Sequence, residues 1–316
     1  MTNEEFEQHI YDKIQKNNCN KKIAVALSGG CDSLSLTLAL KNIGIDILAI
    51  LVNHHLRKEA DEEIVKTIKI LKKFNIKYVV QNWDGKYKNN LEADARNVRY
   101  NLLLKTCKNK KINILCIGHH ADDQIETFLI NLARGSGLDG LCSMPFEKKI
   151  NNIRIIRPMI DLTKQDCKNY LLNLKIKWCE DKSNFDLKYK RNKLRFLLNE
   201  IEDKNLITKR ILQTIKTFQE VKETLDLIIT KTEKKILKKN NNEIILNREK
   251  FISLSEYFKK SILTKCIVQL SCSNYKPRLY QIENIINSIT KKTDFKRTIM
   301  NLTISCKNNI IKIKKH

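Results

Sequence analysis

Residues 24–40 read AVALSGGCDSLSLTLAL: an apolar run, a glycine pair among small polar residues, and a second apolar run. This pattern predicts a buried strand, a tight turn and a buried helix, because continuous apolar runs fit elements covered on both faces. Gly29 and Gly30 let the backbone pass close to a ligand. Their N–H groups, with the helix beginning near Ser33, make an anion site to which Ser28 and Ser33 add hydroxyl donors. A loop of the GxxxxGK[ST] type sends a lysine to the terminal phosphates, and residues 28–33 contain none. Such a loop suits a pyrophosphate that leaves as a unit, with the α-phosphorus as the reactive atom. Asp32 inside an otherwise anion-binding loop makes sense as a Mg²⁺ ligand. Ordinary strand-to-helix turns also use Gly and Ser, and the βα context is what separates the two readings.

Working outward, further apolar β-branched runs occur at DILAILVN (46–53), KYVVQNW (77–83), INILCIG (112–118) and IRIIRP (153–158), with helical periodicity between them. That alternation predicts an α/β fold with a parallel, doubly wound sheet. Ligands in such sheets sit beyond the carboxyl ends of the strands. SGGCDS, NHHLRKEADEE and GHHADDQIET all fall there.

Downstream, residues 205–239 lack Pro and Gly and place Ile207, Ile211, Ile215, Phe218, Val221, Leu225, Ile228 and Ile236 at three- and four-residue intervals. One long helix, or two with a kink, is expected, on the order of 50 Å at ~1.5 Å per residue. The predicted organisation is a catalytic domain over 1–204, a helical linker over 205–240 and a smaller α+β domain over 241–316. In the last, Met300, Leu302, Ile304 and Cys306 alternate before a KNN turn, which reads as a hairpin.

The chain has 316 residues, 42% of them hydrophobic, enough for a sizeable core. Its formal net charge of +25 fits a polyanionic partner. A Lys/Asn/Ile-rich composition also follows from an AT-biased genome whatever the function. Ten scattered cysteines without a CxxC pair argue against a disulfide framework, a zinc site or a cysteine-ligated cluster. With neither a signal peptide nor a long uncharged apolar stretch, a soluble cytoplasmic chain with no membrane contact is expected.

Other motifs carry chemistry. GHHADDQIET puts Asp122, Asp123 and Glu126 at a helix start, where carboxylates favour the dipole or cap the helix. Two adjacent His and two adjacent Asp there suggest a titrating site, in which Asp122 shares a metal with Asp32 or orients His119. NLEADARNVRY brings Arg96 and Arg99 to neighbouring positions on a helix. Gly135, Gly137 and Gly140 form either a covering loop or a C-cap with turns. Val52 and His54 are candidates to flank a nucleobase, and His55 reads as structural.

SGGCDS resembles the SGGxDS loop of the N-type ATP pyrophosphatases. The stretches LVNHHLRKEADEE, NLEADARNVRY, GHHADDQIETFLINLARGSGLDGLCSM and WCEDKSNFDLKYKRNKLR, in that order, closely resemble the tRNA(Ile)-lysidine synthase family from about residue 20 to 200. The resemblance implies an adenine nucleotide alpha hydrolase-like PP-loop fold and ATP with Mg²⁺ as cofactors. It implies as partners free L-lysine and a tRNA(Ile) with a CAU anticodon. Residues 28–33 and His54 would bind the nucleotide; Asp32, Asp122 and Asp123 would hold the metal. Asp32, Asp123, Arg96 and Arg191 would be catalytic. His119, Glu126, Arg99, Asp181, Asn184, Asn192 and Arg195 would contact substrate.

The implied reaction is adenylylation of the cytidine at the first anticodon position, then attack by the lysine amine with release of AMP. Two rivals use the same residues: a PP-loop tRNA thiolase, which would want paired cysteines, and a basic RNA-binding protein without turnover. The oligomeric state stays open, with a homodimer among the alternatives.

Overall fold

The computed structural model describes residues 1–19, 22–53, 60–83, 91–180, 190–240, 242–271, 273, 275–291 and 294–315. His54, His55, Asp181, Asn184 and Cys272 lie outside the described residues. The chain divides into two compact units, Met1–Gln219 and Glu220–His316.

The first unit carries strands β1 (Ile23–Leu27), β2 (Ile47–Asn53), β3 (Lys77–Asn82), β4 (Ile114–Ile117), β5 (Glu147–Ile150) and β6 (Ile153–Ile156). Its helices are α1 (Asn3–Lys16), α2 (Cys31–Asn42), α3 (Ala60–Lys73), α4 (Leu91–Asn109), α5 (Ala121–Ala133), α6 (Leu138–Leu141), α7 (Lys164–Asn173) and α8 (Lys190–Asn199). The sheet order is β3-β2-β1-β4-β6-β5. All pairings are parallel except the edge strand β5, which runs antiparallel to β6. Sequence reading missed β5 because EKKI carries two lysines and no apolar alternation, as an exposed edge allows.

Helices cover both faces, as buried parallel strands require. Ile23, Val25 and Leu27 join α1, α2 and α7 in one core, and Ala24 and Ile50 join α4 residues Leu103 and Cys107 in another. Strand order reverses between β1 and β4, paired at Ala26 and Ile117, so the loops that follow these two strands start side by side.

Helix α9 (Lys204–Ile236) runs across the boundary between the units. Ile215, Ile229 and Ile236 are its buried positions. Val221 and Ile228, expected in the apolar stripe, are exposed at 45% and 44%: the buried seam follows Ile229 instead, two turns before Ile236.

The second unit holds β7 (Leu237–Lys239), β8 (Glu243–Asn247), α10 (Arg248–Ile252), α11 (Glu256–Ser271), α12 (Leu279–Lys291), β9 (Phe295–Ile299), β10 (Leu302–Lys307) and β11 (Ile310–Lys315). Its strands form one antiparallel sheet in the order β7-β8-β11-β10-β9. One face, with Ile244, Leu246, Ile304, Cys306, Ile311 and Ile313, is buried with Ile262, Ile267, Ile282 and Ile286 of α11 and α12. Met300, expected as a strand residue, instead forms the turn before β10 with Asn301, both at positive φ. Asn308 and Asn309 do the same before β11, the geometry two-residue hairpin turns require.

Candidate active site

The first of the two side-by-side loops begins at Ser28. Gly29 takes φ +85°, and a Cβ there would collide with Thr67 Oγ1, so only glycine fits. Gly30 is the N-cap of α2 and makes no side-chain cap hydrogen bond. Ser33 Oγ accepts the Ser28 N–H at 3.1 Å and lies 3.0 Å from Ser28 Oγ. The serines thus brace the turn, while the first-turn N–H groups of α2 have no side-chain cap, which makes this helix start receptive to an anion. Cys31 is a buried thiol, pushed up to about 12 by burial and then by the Asp32 charge.

The second loop presses on the first. A Cβ on Gly118 would sit 2.9 Å from the Asp32 carbonyl oxygen, so β4 can end against α2 only with glycine there. Beyond it His120, buried to 1% exposure, is the N-cap of α5. Its Nε2 lies 3.5 Å from Asp32 Oδ2 and 3.6 Å from Asp123 Oδ2, and its Nδ1 lies 3.5 Å from Asp122 Oδ2. Nδ1 makes no hydrogen bond at that distance, so this contact is between charges. Burial opposes an imidazolium, but the Asp122, Asp123 and Asp32 carboxylates outweigh it and hold the pKa at about 10.

The carboxylates respond in kind. Burial would raise Asp32 and Asp122, yet His120 draws both down to about 2, helped by Lys164 at Asp32 and by the Lys164 N–H at Asp122. Lys164, the first residue of α7, donates from Nζ to Asp32 Oδ2 at 3.1 Å and from its backbone N–H to Asp122 Oδ2 at 2.8 Å. Asp123 Oδ2 accepts the His120 N–H at 3.1 Å. The three acids named from sequence therefore gather around one buried cation.

His119 is shifted the other way. Burial, reinforced by the Arg157 and Arg96 charges against the pull of Asp123, lowers its pKa to about 4. Its Nδ1 accepts a hydrogen bond from Arg157 Nε at 3.3 Å, and Arg157, 6% exposed, also donates to the Pro145 carbonyl at 2.7 Å. Arg96 lies over the Tyr100 ring, 5.7 Å from its centroid.

A family model described as a PP-loop domain matches residues 2–201. Among curated proteins, the tRNA(Ile)-lysidine synthase of Rickettsia prowazekii (strain Madrid E) is 34% identical over 307 residues, covering 95% of this chain and 70% of that protein. The chain belongs to the tRNA(Ile)-lysidine synthase family. The enzyme of that name from Wolbachia sp. subsp. Brugia malayi (strain TRS) is 35% identical over 281 residues, covering 86% of this chain. The chain spans 65% of the length of that relative. A solved U34-tRNA thiolase from Methanococcus maripaludis, with its [4Fe-4S] cluster, shares the fold at TM-score 0.59 and 18% identity over 70% of this chain and 79% of its own.

In this member of the lysidine synthase family, the remaining residues named from sequence fall on three helices. Glu126, one turn after Asp123 on α5, is buried and receives Arg195 of α8, Nε to Oε1 at 2.5 Å and Nη2 to Oε2 at 3.2 Å. Arg195 Nη2 also lies 3.9 Å from Asp123 Oδ1. Burial raises Glu126 and exceeds the lowering by Arg195. Asn192 is buried on α8, and Arg191 lies on the same helix with its charge felt at Glu126. Arg99 lies with Arg96 on α4, and the Arg96 charge acts on His119. Gly135 adopts φ +67° after the C-cap of α5, and Asn131 Nδ2 donates to the Gly140 carbonyl at 2.8 Å.

No three His, Cys, Asp or Glu side chains form a ready-made metal cluster among the described residues. Asp32 Oδ1, however, is buried without a hydrogen-bond partner. One free carboxylate oxygen fits Mg²⁺, which takes one or two protein carboxylates and completes its shell with phosphate oxygens and water. Sequence reasoning missed His120, Lys164 and Arg157. The signal for Lys164 was the Thr163-x-x-Asp166 capping box that starts α7 beside it; Arg157, in IIRP, carried no signal beyond standing at a strand end.

Proposed function

We propose that the chain ligates free L-lysine to C2 of the cytidine at the first anticodon position of tRNA(Ile) with a CAU anticodon, consuming ATP and producing lysidine, AMP and pyrophosphate in the cytoplasm. The cytosine carbonyl oxygen attacks the α-phosphorus, and the uncapped start of α2 with Ser28 and Ser33 receives the leaving pyrophosphate. Asp32 would hold Mg²⁺ through Oδ1; when bound, the ion neutralises charge on the phosphates. Lys164 and His120 keep Asp32 ionised before nucleotide arrives. The ε-amine of lysine then attacks the activated ring carbon. Its unperturbed pKa of ~10.4 requires a proton acceptor at pH 7, and Asp123 is assigned that role. Arg96 and Arg191 are assigned to the phosphate or to the carboxylate of the lysine substrate.

The tRNA itself would lie on basic surface. In the second unit, strand register sets Lys238, Ile245, Lys312, Ser305 and Lys296 in one row across five strands, and the three lysines are exposed. A row of cations without an intervening carboxylate suits phosphates.

The observation that carries the reading is the uncapped start of α2, whose own Asp32 shares buried His120 with Asp122 and Asp123. The test is ATP-dependent incorporation of radiolabelled lysine into a tRNA(Ile) transcript, with AMP as the nucleotide product. Formation of ADP and orthophosphate, a requirement for a sulfur donor, or RNA binding without turnover would each overturn it.

A further inference from the structure

The two histidines of GHH differ in what holds the ring. His120 is fixed by acids, whereas His119 is fixed by a base-side donor: Arg157 Nε donates to its Nδ1 at 3.3 Å. Arg157 is 6% exposed, and its Nη1 is committed to the Pro145 carbonyl at 2.7 Å while its own N–H donates to the Phe146 carbonyl at 3.0 Å. Nη1 thus ties the guanidinium to backbone while the residue's own main chain is pinned beside it, which leaves Nε little freedom to turn away. A guanidinium stays protonated and can only donate, so the nitrogen it meets can only accept. In a neutral imidazole the other nitrogen must then carry the proton.

We propose that Arg157 is a positioning residue that sets His119 as the neutral, Nε2-protonated tautomer, so that His119 serves the reaction as a hydrogen-bond donor and not as a base. The inference rests on the proposed reaction at this strand end and deepens it. A donor suits the step in which negative charge grows on the α-phosphoryl oxygens or on the oxygen leaving with AMP. Base work then falls to the carboxylates, which separates the two duties onto different side chains. Burial and the charges around His119 agree with this division: Arg157, Arg96 and imidazolium His120 disfavour a second proton, opposed by Asp123.

The test begins with the unmodified protein labelled with ¹⁵N at histidine. Long-range ¹H–¹⁵N correlation at pH 7 should show His119 neutral with Nδ1 bare and Nε2 protonated. An Nδ1-protonated ring or an imidazolium overturns the proposal. Next, Arg157→Met removes the donor; the His119 tautomer balance should shift and kcat for lysine incorporation should fall by about 10-fold or more with the KM for ATP little changed. An unshifted tautomer in this variant overturns the role of Arg157. Last, His119→Gln keeps an N–H donor at similar reach and should retain activity within about 10-fold, whereas His119→Glu should lose about 10²-fold or more. If Gln is as damaging as Glu, the donor role fails. Should the wild-type chain incorporate no lysine, the proposed reaction falls while the tautomer measurement still decides the Arg157 assignment.

Discussion

His119 and His120 are adjacent in the chain and stand at one strand end, yet they are held in opposite protonation states. His120 faces Asp32, Asp122 and Asp123 and is held as an imidazolium; His119 is held neutral by burial, with Arg157 and the Arg96 charge helping against Asp123. The residue type is the same, although His120 is fully buried and His119 half-buried. The difference teaches that the balance between burial and the charges brought in by distant elements, not the motif, decides what each ring can do.

The comparison breaks most visibly on the acidic side. Asp32→Ala and Asp123→Ala should each lower lysine incorporation by about 10³-fold or more while tRNA still binds in a filter assay. Near-normal turnover in either variant removes that residue from the mechanism. His120→Asn leaves three carboxylates without their shared cation and should cost about 3–5 kcal/mol in denaturant unfolding; the same change at His119 should cost far less.

The pH dependence sharpens the contrast. His120 has a folded pKa of about 10, above its unfolded value of 6.5, so its stabilisation is fully present below pH 6.5 and is lost as pH rises toward 10. Asp32 and Asp122, drawn down to about 2 from 3.8, stabilise above pH 3.8 and lose that contribution as pH falls toward 2. Thermal unfolding should therefore show a plateau between these limits and a decline on both sides. The alkaline decline should vanish in His120→Asn.

Lys164→Met should have a smaller effect, about 1 kcal/mol or less, because that ion pair is partly exposed. Its acid limb should begin at higher pH, and an unchanged limb would show that His120 alone sets Asp32. Smallest of all, Lys312→Ala should leave both histidine signals in place and lower the salt slope of tRNA binding by about 1.

Much of this arrangement is legible in the sequence. SGGCDS stands at a β1–α2 junction because apolar runs and a glycine pair are local signals. Asp32, Asp122 and Asp123 were named from their loops, and strand order then placed those loops side by side. The β5 edge and the Met300 turn escaped notice, since an exposed lysine-rich strand and a positive-φ methionine break the local rules. Ile228 was named in place of Ile229 because two adjacent isoleucines fit one helical stripe almost equally.

What the sequence by itself determined is the parallel sheet, the lysine-free glycine loop and the identity of the acids, because periodicity and glycine geometry act over a few residues. What only the tertiary structure decided is the protonation of the histidine pair and the partners that enforce it. Lys164 meets Asp32 across 132 residues, Arg195 meets Glu126 across 69, and Arg157 meets His119 across 38. A proton follows the summed field of groups that folding brings together, and no local pattern encodes that sum.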